Sequence, residues 1–161
     1  IALKPIFPVG EPYSTVLEGV EISQDSRGCL QIFAPKLNSN TLLTNDCVKM
    51  ISEKQFQFVG RIDFVINSGG LKIFPEELEN IVKKQISNPL VFVGIPDEKL
   101  GQKLALVLEG QPDTALKNRI SEIKFENKLH FPKEILFLEQ FPRSDNGKIL
   151  RKEILKFLLD L

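Results

Sequence analysis

A switch in hydrophobic period between Phe56 and Asp63 divides this chain more sharply than any other feature, and it limits the fold to a β part followed by a mixed part. Ahead of the switch, apolar groups at Leu17, Val20 and Ile22 and at Leu30, Ile32 and Phe33 are separated by Ser26-Arg27-Gly28 and Asn38-Ser39-Asn40, as in strands joined by turns. Phe56 and Phe58 alternate with Gln55 and Gln57, and Phe64 and Ile66 continue the period of two. Ser68-Gly69-Gly70 interrupts it before Leu71 and Ile73, which predicts a hairpin with a glycine tip. Pro75 then suits the first position of a helix, where no amide donor is needed, and Leu78, Ile81, Val82 and Ile86 fall at helical spacing. Apolar runs at Leu90 to Ile95 and Leu104 to Leu108, split by Pro96-Asp97 and Gly101, read as buried strands. A helix over 114–125, a strand over 134–138 and a last helix carrying Leu150, Ile154, Leu155 and Leu158 complete the pattern. The expected class is α+β, with a small β lobe over 1–62 and, over 63–161, a small sheet flanked by helices.

Charge and composition remove several classes of function. The 161 residues carry 21 basic and 21 acidic groups, a balance unlike that of a disordered tail or a polybasic binder. Twelve phenylalanines with one tyrosine and no tryptophan suit core filling rather than base stacking, so no nucleic-acid partner is expected. No run approaches the ~18 apolar residues of a membrane span, and the start lacks a signal-peptide layout, so no membrane partner and a cytoplasmic location are expected. Cys29 and Cys47 are too few for a disulfide framework or a zinc site and read as buried thiols, with no metal site expected. His130, the single histidine, reads as a turn residue beside Phe131-Pro132. The chain begins with Ile1, and Ile1 to Val9 is a proline-punctuated apolar stretch. The expectation is that the natural N-terminus lies upstream and that this stretch supports a homo-oligomer.

Three segments carry candidate chemistry. The turn-forming run Phe141 to Arg151, F-P-R-S-D-N-G-K-I-L-R, sets Lys148 at a loop end before an amphipathic helix, where a lysine is ordinarily a solvated charge. Thr44-Asn45-Asp46 follows Leu42-Leu43 and reads as an Asx-type turn, and Gly60-Arg61-Ile62-Asp63 lies on the first arm of the glycine-tipped hairpin. Taken singly, each has an ordinary structural reading.

In this order the three resemble the motifs of the AMP-forming acyl-CoA synthetases and related adenylating enzymes. Thr44-Asn45-Asp46 is similar to the family's T-G-D element. Gly60 to Glu79, G-R-I-D-F-V-I-N-S-G-G-L-K-I-F-P-E-E-L-E, is similar to its hinge and glycine loop, and Arg143 to Arg151 to its terminal lysine element. Ser68-Gly69-Gly70 with Ile73, Pro75, Glu77 and Glu79 most resembles the o-succinylbenzoate–CoA ligases of menaquinone synthesis. Asn45 stands where glycine is usual, Asn67 where lysine is common, and Ser144-Asp145-Asn146 where a Lys/Thr-rich lead is usual. Asparagine tolerates the left-handed backbone that glycine supplies, so Asn45 is expected to preserve the turn.

The resemblance implies an enzyme that joins a carboxylic acid to ATP as an acyl-adenylate and then makes the CoA thioester. It implies that Asp46 holds the ribose hydroxyls of ATP, that Arg61 adds a second nucleotide contact, and that Lys148 bridges the acid carboxylate and the α-phosphate. Asp63 would be the hinge about which a mobile C-terminal lid turns, and Ser68, Gly69 and Gly70 would line the passage for the pantetheine arm of CoA. ATP, CoA and Mg2+ are the implied cofactors, with no ligand to Mg2+ identified in this chain. The partners would be the small-molecule acid and a missing N-terminal domain, which carries the phosphate-gripping loop and the acid pocket. The segment alone should not catalyse adenylation. Two other readings are an adenylating enzyme that delivers to a carrier-protein pantetheine and a stand-alone, non-catalytic nucleotide- or partner-binding module.

Overall fold

A computed structural model of the chain describes residues 1–4 and 13–160. Most of the apolar stretch Ile1 to Val9, to which self-association was assigned, lies outside the described residues. The chain divides into two compact units, Ile1–Asp63 and Phe64–Leu161.

The first unit is a six-stranded antiparallel sheet. Its strands are β1 (Ala2–Leu3), β2 (Ser14–Val16), β3 (Glu21–Gln24), β4 (Cys29–Ala34), β5 (Asn38–Ser52) and β6 (Gln55–Arg61), in the order β1-β2-β6-β5-β4-β3. The expected hairpin at Ser26-Arg27-Gly28 forms because the Asp25 carboxylate accepts from the amides of Arg27 (2.8 Å) and Cys29 (2.9 Å), while Gly28 takes φ +79°. Val16, Val20, Leu30, Ile32, Ala34 and Val48 form the core of this unit. Asn38-Ser39-Asn40, expected as a turn, instead opens the fifteen-residue β5. Leu42 and Leu43 on that strand are 51% and 63% exposed.

The second unit contains β7 (Ile66–Ser68), β8 (Leu71–Ile73), α1 (Pro75–Val82), β9 (Leu90–Asp97), β10 (Gly101–Glu109), α2 (Thr114–Ser121), β11 (Glu134–Leu138) and α3 (Arg151–Leu159). β10 is the centre of its sheet. It runs antiparallel to β9 and parallel to β11, and meets β7 through the pair Gly101–Ser68. Alternation explains why β9 and β10 are apolar throughout: Phe92, Leu104, Leu106 and Leu108 join the core formed with α1 and α2, while Val91, Val93, Ala105 and Val107 join Phe141 and Ile154 on the other face. Both faces of these strands are covered, as the α+β reading requires. Asp113 caps α2 by accepting from the Leu116 amide at 3.1 Å, and the helix ends at Ser121, short of the expected Phe125. Phe125 packs against the core from beyond the helix. α1 likewise ends at Val82, and Ile86 is buried from the turn that follows.

One expected continuity fails. β6 ends at Arg61, a single 3₁₀ turn occupies Ile62–Phe64, and the glycine-tipped hairpin consists of β7 and β8 alone. Arg61 therefore belongs to the first unit's sheet and not to the hairpin arm, because the alternation of Phe64 and Ile66 resumes in a different sheet.

Candidate functional site

Asp46 and Arg61 face each other directly in the β5–β6 register. The Arg61 guanidinium uses its two ends separately: Nη1 donates to Asp46 Oδ1 at 3.0 Å and Nη2 to Asp63 Oδ2 at 3.1 Å. About a third of each of these three side chains is exposed. A planar fork with fixed donors can hold two carboxylates at a set separation, which a lysine ammonium cannot do.

Thr44-Asn45-Asp46 is not a turn. All three residues lie within β5, and no non-glycine residue among those described has a positive φ, so Asn45 does not take the left-handed backbone expected of it. The β4 pairs that bracket it, Gln31–Leu43 and Cys29–Cys47, and the Asp46–Arg61 pair with β6 keep the segment in the strand across a register shift. The Thr44 hydroxyl donates to Leu30 O (2.7 Å) and accepts from the Asp46 amide (3.2 Å). Asn45 has a use that glycine could not serve. Its Nδ2 donates to both oxygens of Asp63 (3.3 and 3.2 Å) and its Oδ1 accepts from Arg27 Nη1 (3.3 Å), while Arg27 Nη2 reaches Thr44 O (3.1 Å). Asp25 fixes Arg27 in turn and raises its pKa through a side-chain hydrogen bond. The Asp25 carboxyl is held below its usual range chiefly by the Cys29 amide. Two guanidinium groups thus stand among three carboxylates, leaving a cluster with one net negative charge and acceptors open to hydroxyl donors. Sequence spacing did not reveal Arg27 as a member or the Asn45 side chain as a partner of Asp63; Arg27, in the turn between β3 and β4, reaches the cluster through Asn45 and Thr44 O.

In the second unit, Ser68 and Leu71 pair across a two-residue turn in which Gly69 and Gly70 have φ +57° and +80°. Positive φ at both positions is the type I′ geometry that twists with the strands. The Gly69 amide donates to Leu100 O at 2.9 Å, and a Cβ on Gly69 would sit 3.4 Å from Leu100 Cδ2. Gly70 has open space around it, and Ser68 is buried.

Lys148 lies on an exposed loop, three residues before α3 begins at Arg151. The loop is a small hairpin: Arg143 bridges to Ile149, the Ser144 amide donates to Lys148 O (2.9 Å), and the Gly147 amide donates to Ser144 O (2.8 Å) with Gly147 at φ +80°. Ion pairs hold the chain on either side. Before the loop, Arg143 grips Glu109 with both Nη atoms at 2.6 Å. After it, Arg151 pairs with Glu79 at 2.8 Å. Glu79 is 5% exposed; its Oε1 also accepts the Phe92 amide (2.9 Å), and Arg151 Nη1 donates to Phe92 O (2.8 Å). Among the described pairings β9 hydrogen-bonds only to β10, so this ion pair satisfies the outward N–H and C=O of an edge strand. An acidic residue amid the apolar spacing of α1 was the one sequence sign of that lock.

An uncharacterized acyl–CoA ligase, YhfT, of Bacillus subtilis is 31% identical over 119 residues, 72% of this chain and 24% of its own length. A D-alanine–D-alanyl carrier protein ligase of Listeria monocytogenes is 29% identical over 163 residues, covering 92% of this chain and 31% of its own length. Its relatives are adenylate-forming ligases. The chain therefore spans roughly a quarter to a third of the length of these curated relatives. No family model matches it. Among solved structures, an acyl-CoA synthetase (AMP-forming)/AMP-acid ligase II-like protein of Dyadobacter fermentans is 34% identical with a TM-score of 0.56, covering 94% of this chain and 45% of that one. ATP-bound MatB of Rhodopseudomonas palustris (TM-score 0.71, 17% identity) and E. coli MenE (0.67, 20%) each match 91% of this chain and 35% of their own. The mixed fold is that of the C-terminal domain of adenylate-forming enzymes. No helix among the described residues is long and apolar enough to cross a membrane.

Proposed function

We propose that this chain is the C-terminal part of an ATP-dependent acid–CoA ligase, with residues 1–62 closing a large N-terminal domain and 63–161 forming the lid. The observation that carries the reading is the pairing of two distinct sites: the open Asp46–Arg61–Asp63 cluster, and Lys148 displayed at the tip of a hairpin held on both sides. Asp46 would accept the ribose hydroxyls of ATP, and Arg61 would orient that carboxylate while offering its own donors. Lys148 would place a fixed positive charge where negative charge builds on the phosphoryl oxygens as the acid attacks, a role that is electrostatic and needs no proton transfer. Asp63, where the chain passes from the first unit to the second, would serve as the hinge. Ser68, Gly69 and Gly70 would admit the pantetheine arm of CoA, the two glycines offering a backbone without Cβ atoms. Mg2+ would enter with the phosphates of ATP. The proposed acid is o-succinylbenzoate, a choice supported by the resemblance of Ser68-Gly69-Gly70 with Ile73, Pro75, Glu77 and Glu79 and by the fold shared with MenE, whose structure holds an analogue of OSB-AMS.

A second reading, delivery to a carrier-protein pantetheine, is favoured by the carrier protein ligase that aligns with 92% of the chain. The test is to supply the full-length protein with ATP, Mg2+, o-succinylbenzoate and CoA and to follow AMP and acyl-CoA. Acyl-CoA formation supports the ligase and its acid. Acid-dependent pyrophosphate exchange without acyl-CoA favours carrier delivery, and no exchange with any acid leaves a non-catalytic module.

A further inference from the structure

We infer that Glu109 is a positioning residue for Lys148, acting through Arg143; the inference rests on the reading of Lys148 as the adenylation lysine. Glu109 is the last residue of β10, the central strand of its sheet, so its backbone is among the best anchored in the second unit. Its carboxylate accepts three hydrogen bonds from the start of the lysine loop. Arg143 Nη1 and Phe141 N both reach Oε1 at 2.6 Å, and Arg143 Nη2 reaches Oε2 at 2.6 Å. Arg143 Nη1 also donates to Phe141 O at 3.1 Å, which closes the guanidinium onto the backbone it follows. A bidentate pair with a further amide fixes orientation as well as distance.

From Arg143 the constraint reaches Lys148 in two short steps. Arg143 is the bridge partner of Ile149, the neighbour of Lys148, and the Ser144 amide holds the Lys148 carbonyl (2.9 Å) while its hydroxyl donates to Asn146 Oδ1 (2.5 Å) within the tip. The Leu150 amide donates to Pro142 O at 2.9 Å and completes the ladder. Residues 145–148 at the tip are exposed, so little packing holds them and the direction of the lysine follows from the base of the hairpin. The Glu79–Arg151 pair beyond the loop is buried and belongs to the core. The Glu109 and Arg143 side chains are 17% and 32% exposed, so the clamp can be removed without opening the fold.

The experiment is a double-mutant cycle in the full-length ligase, measuring adenylate formation and, separately, thioester formation from supplied adenylate. Glu109→Ala and Arg143→Ala should each slow adenylation about tenfold, as expected for a reacting group displaced by a fraction of an ångström, and leave the second step intact. In a Lys148→Ala background either change should cost less than about twofold, because the group being positioned is already gone. Arg143→Lys keeps the charge but not the fork and should fall with Arg143→Ala. A loss that persists in the Lys148→Ala background, or one shared by both half-reactions, would overturn the inference. So would an unchanged adenylation rate in Glu109→Ala. Should Glu109→Ala fail to fold, Glu109→Gln and Arg143→Lys carry the same test. A Lys148→Ala enzyme that adenylates normally would instead defeat the underlying reading.

Discussion

Removing one partner of the Glu79–Arg151 pair should destabilise the second unit far more than removing both. Glu79 accepts Arg151 at 2.8 Å and the Phe92 amide at 2.9 Å, and only 6% of its side chain and 13% of that of Arg151 are exposed. Arg151→Met leaves the buried carboxylate with the Phe92 amide and, at 3.6 Å, the half-exposed Lys83 ammonium, neither of which replaces the buried guanidinium, and the Phe92 carbonyl loses its donor. Stranding one charge of a buried pair costs about 3–5 kcal/mol. A further contribution lost is the stacking of the Arg151 guanidinium over Phe64, whose ring centroid lies 4.9 Å away. For a unit of this size each kcal/mol corresponds to roughly 4–8 °C, so Arg151→Met should lower its melting temperature by roughly 12 °C or more. Glu79→Leu alone should do similar damage by leaving the guanidinium buried. The double variant Glu79→Leu/Arg151→Met should recover a large part of the loss, since two apolar side chains replace two charges and the residual cost is that of the unpaired Phe92 edge groups. The assay is thermal and urea unfolding of all four proteins by circular dichroism. Single variants within about 1 kcal/mol of the parent, a value typical of exposed pairs, would refute the reasoning, as would fully additive losses in the double variant.

Gly70→Val should spare adenylation and slow thioester formation in the full-length ligase, because φ +80° strains any L side chain and a branched group would fill the open space at the turn; equal rates in the second half-reaction would remove Gly70 from the CoA passage. Arg143 holds the Glu109 carboxyl below its ordinary value of 4.5, with the Phe141 amide adding to the effect. A depressed folded-state pKa stabilises the protein above the unfolded value and ceases to do so as pH falls through the folded one. Urea midpoints should therefore show Arg143→Ala less stable than the parent at pH 7 and the gap closing below pH 4.5; a gap independent of pH would contradict this. Burial, followed by the neighbouring Cys29, pushes the Cys47 thiol up to about 11, and the two sulfurs lie 3.7 Å apart inside the sheet. A thiol reagent at pH 7.5 should modify neither cysteine at an appreciable rate until urea is added, and rapid labelling of the native protein would show the thiols accessible.

The α+β class and most elements of the second unit were legible because their signals are local. Pro75 marks a helix start, two glycines mark a hairpin tip, and the apolar runs of β9 and β10 have no polar face to confuse the period. Misreadings arose where pairing overrides local chemistry. Asn38-Ser39-Asn40 and Thr44-Asn45-Asp46 carry turn-forming residues, yet the β4 pairs that bracket each, Ala34–Asn38 with Ile32–Leu42 and Gln31–Leu43 with Cys29–Cys47, keep both in β5 across register shifts. The period of two also ran on through Phe64, since alternation does not record a change of sheet; Arg61 was placed on the wrong hairpin for that reason. At the candidate sites, residue types and order in the sequence pointed to Asp46, Arg61 and Lys148. The residues around them, Arg27 and Asn45 next to Asp63 in one unit's cluster and Glu79 and Glu109 on either side of the lysine loop in the other, lie 13 to 34 positions from most of the partners they bind.

The role proposed for Lys148 confines it to the first chemical step. Single-turnover measurement of both half-reactions in the full-length Lys148→Ala enzyme tests it most directly. Adenylate formation should fall about 100-fold or more, the cost of one preorganised charge contact, while thioester formation from supplied adenylate stays within about twofold of the parent. Equal losses in the two steps, or an undiminished first step, would contradict the assignment.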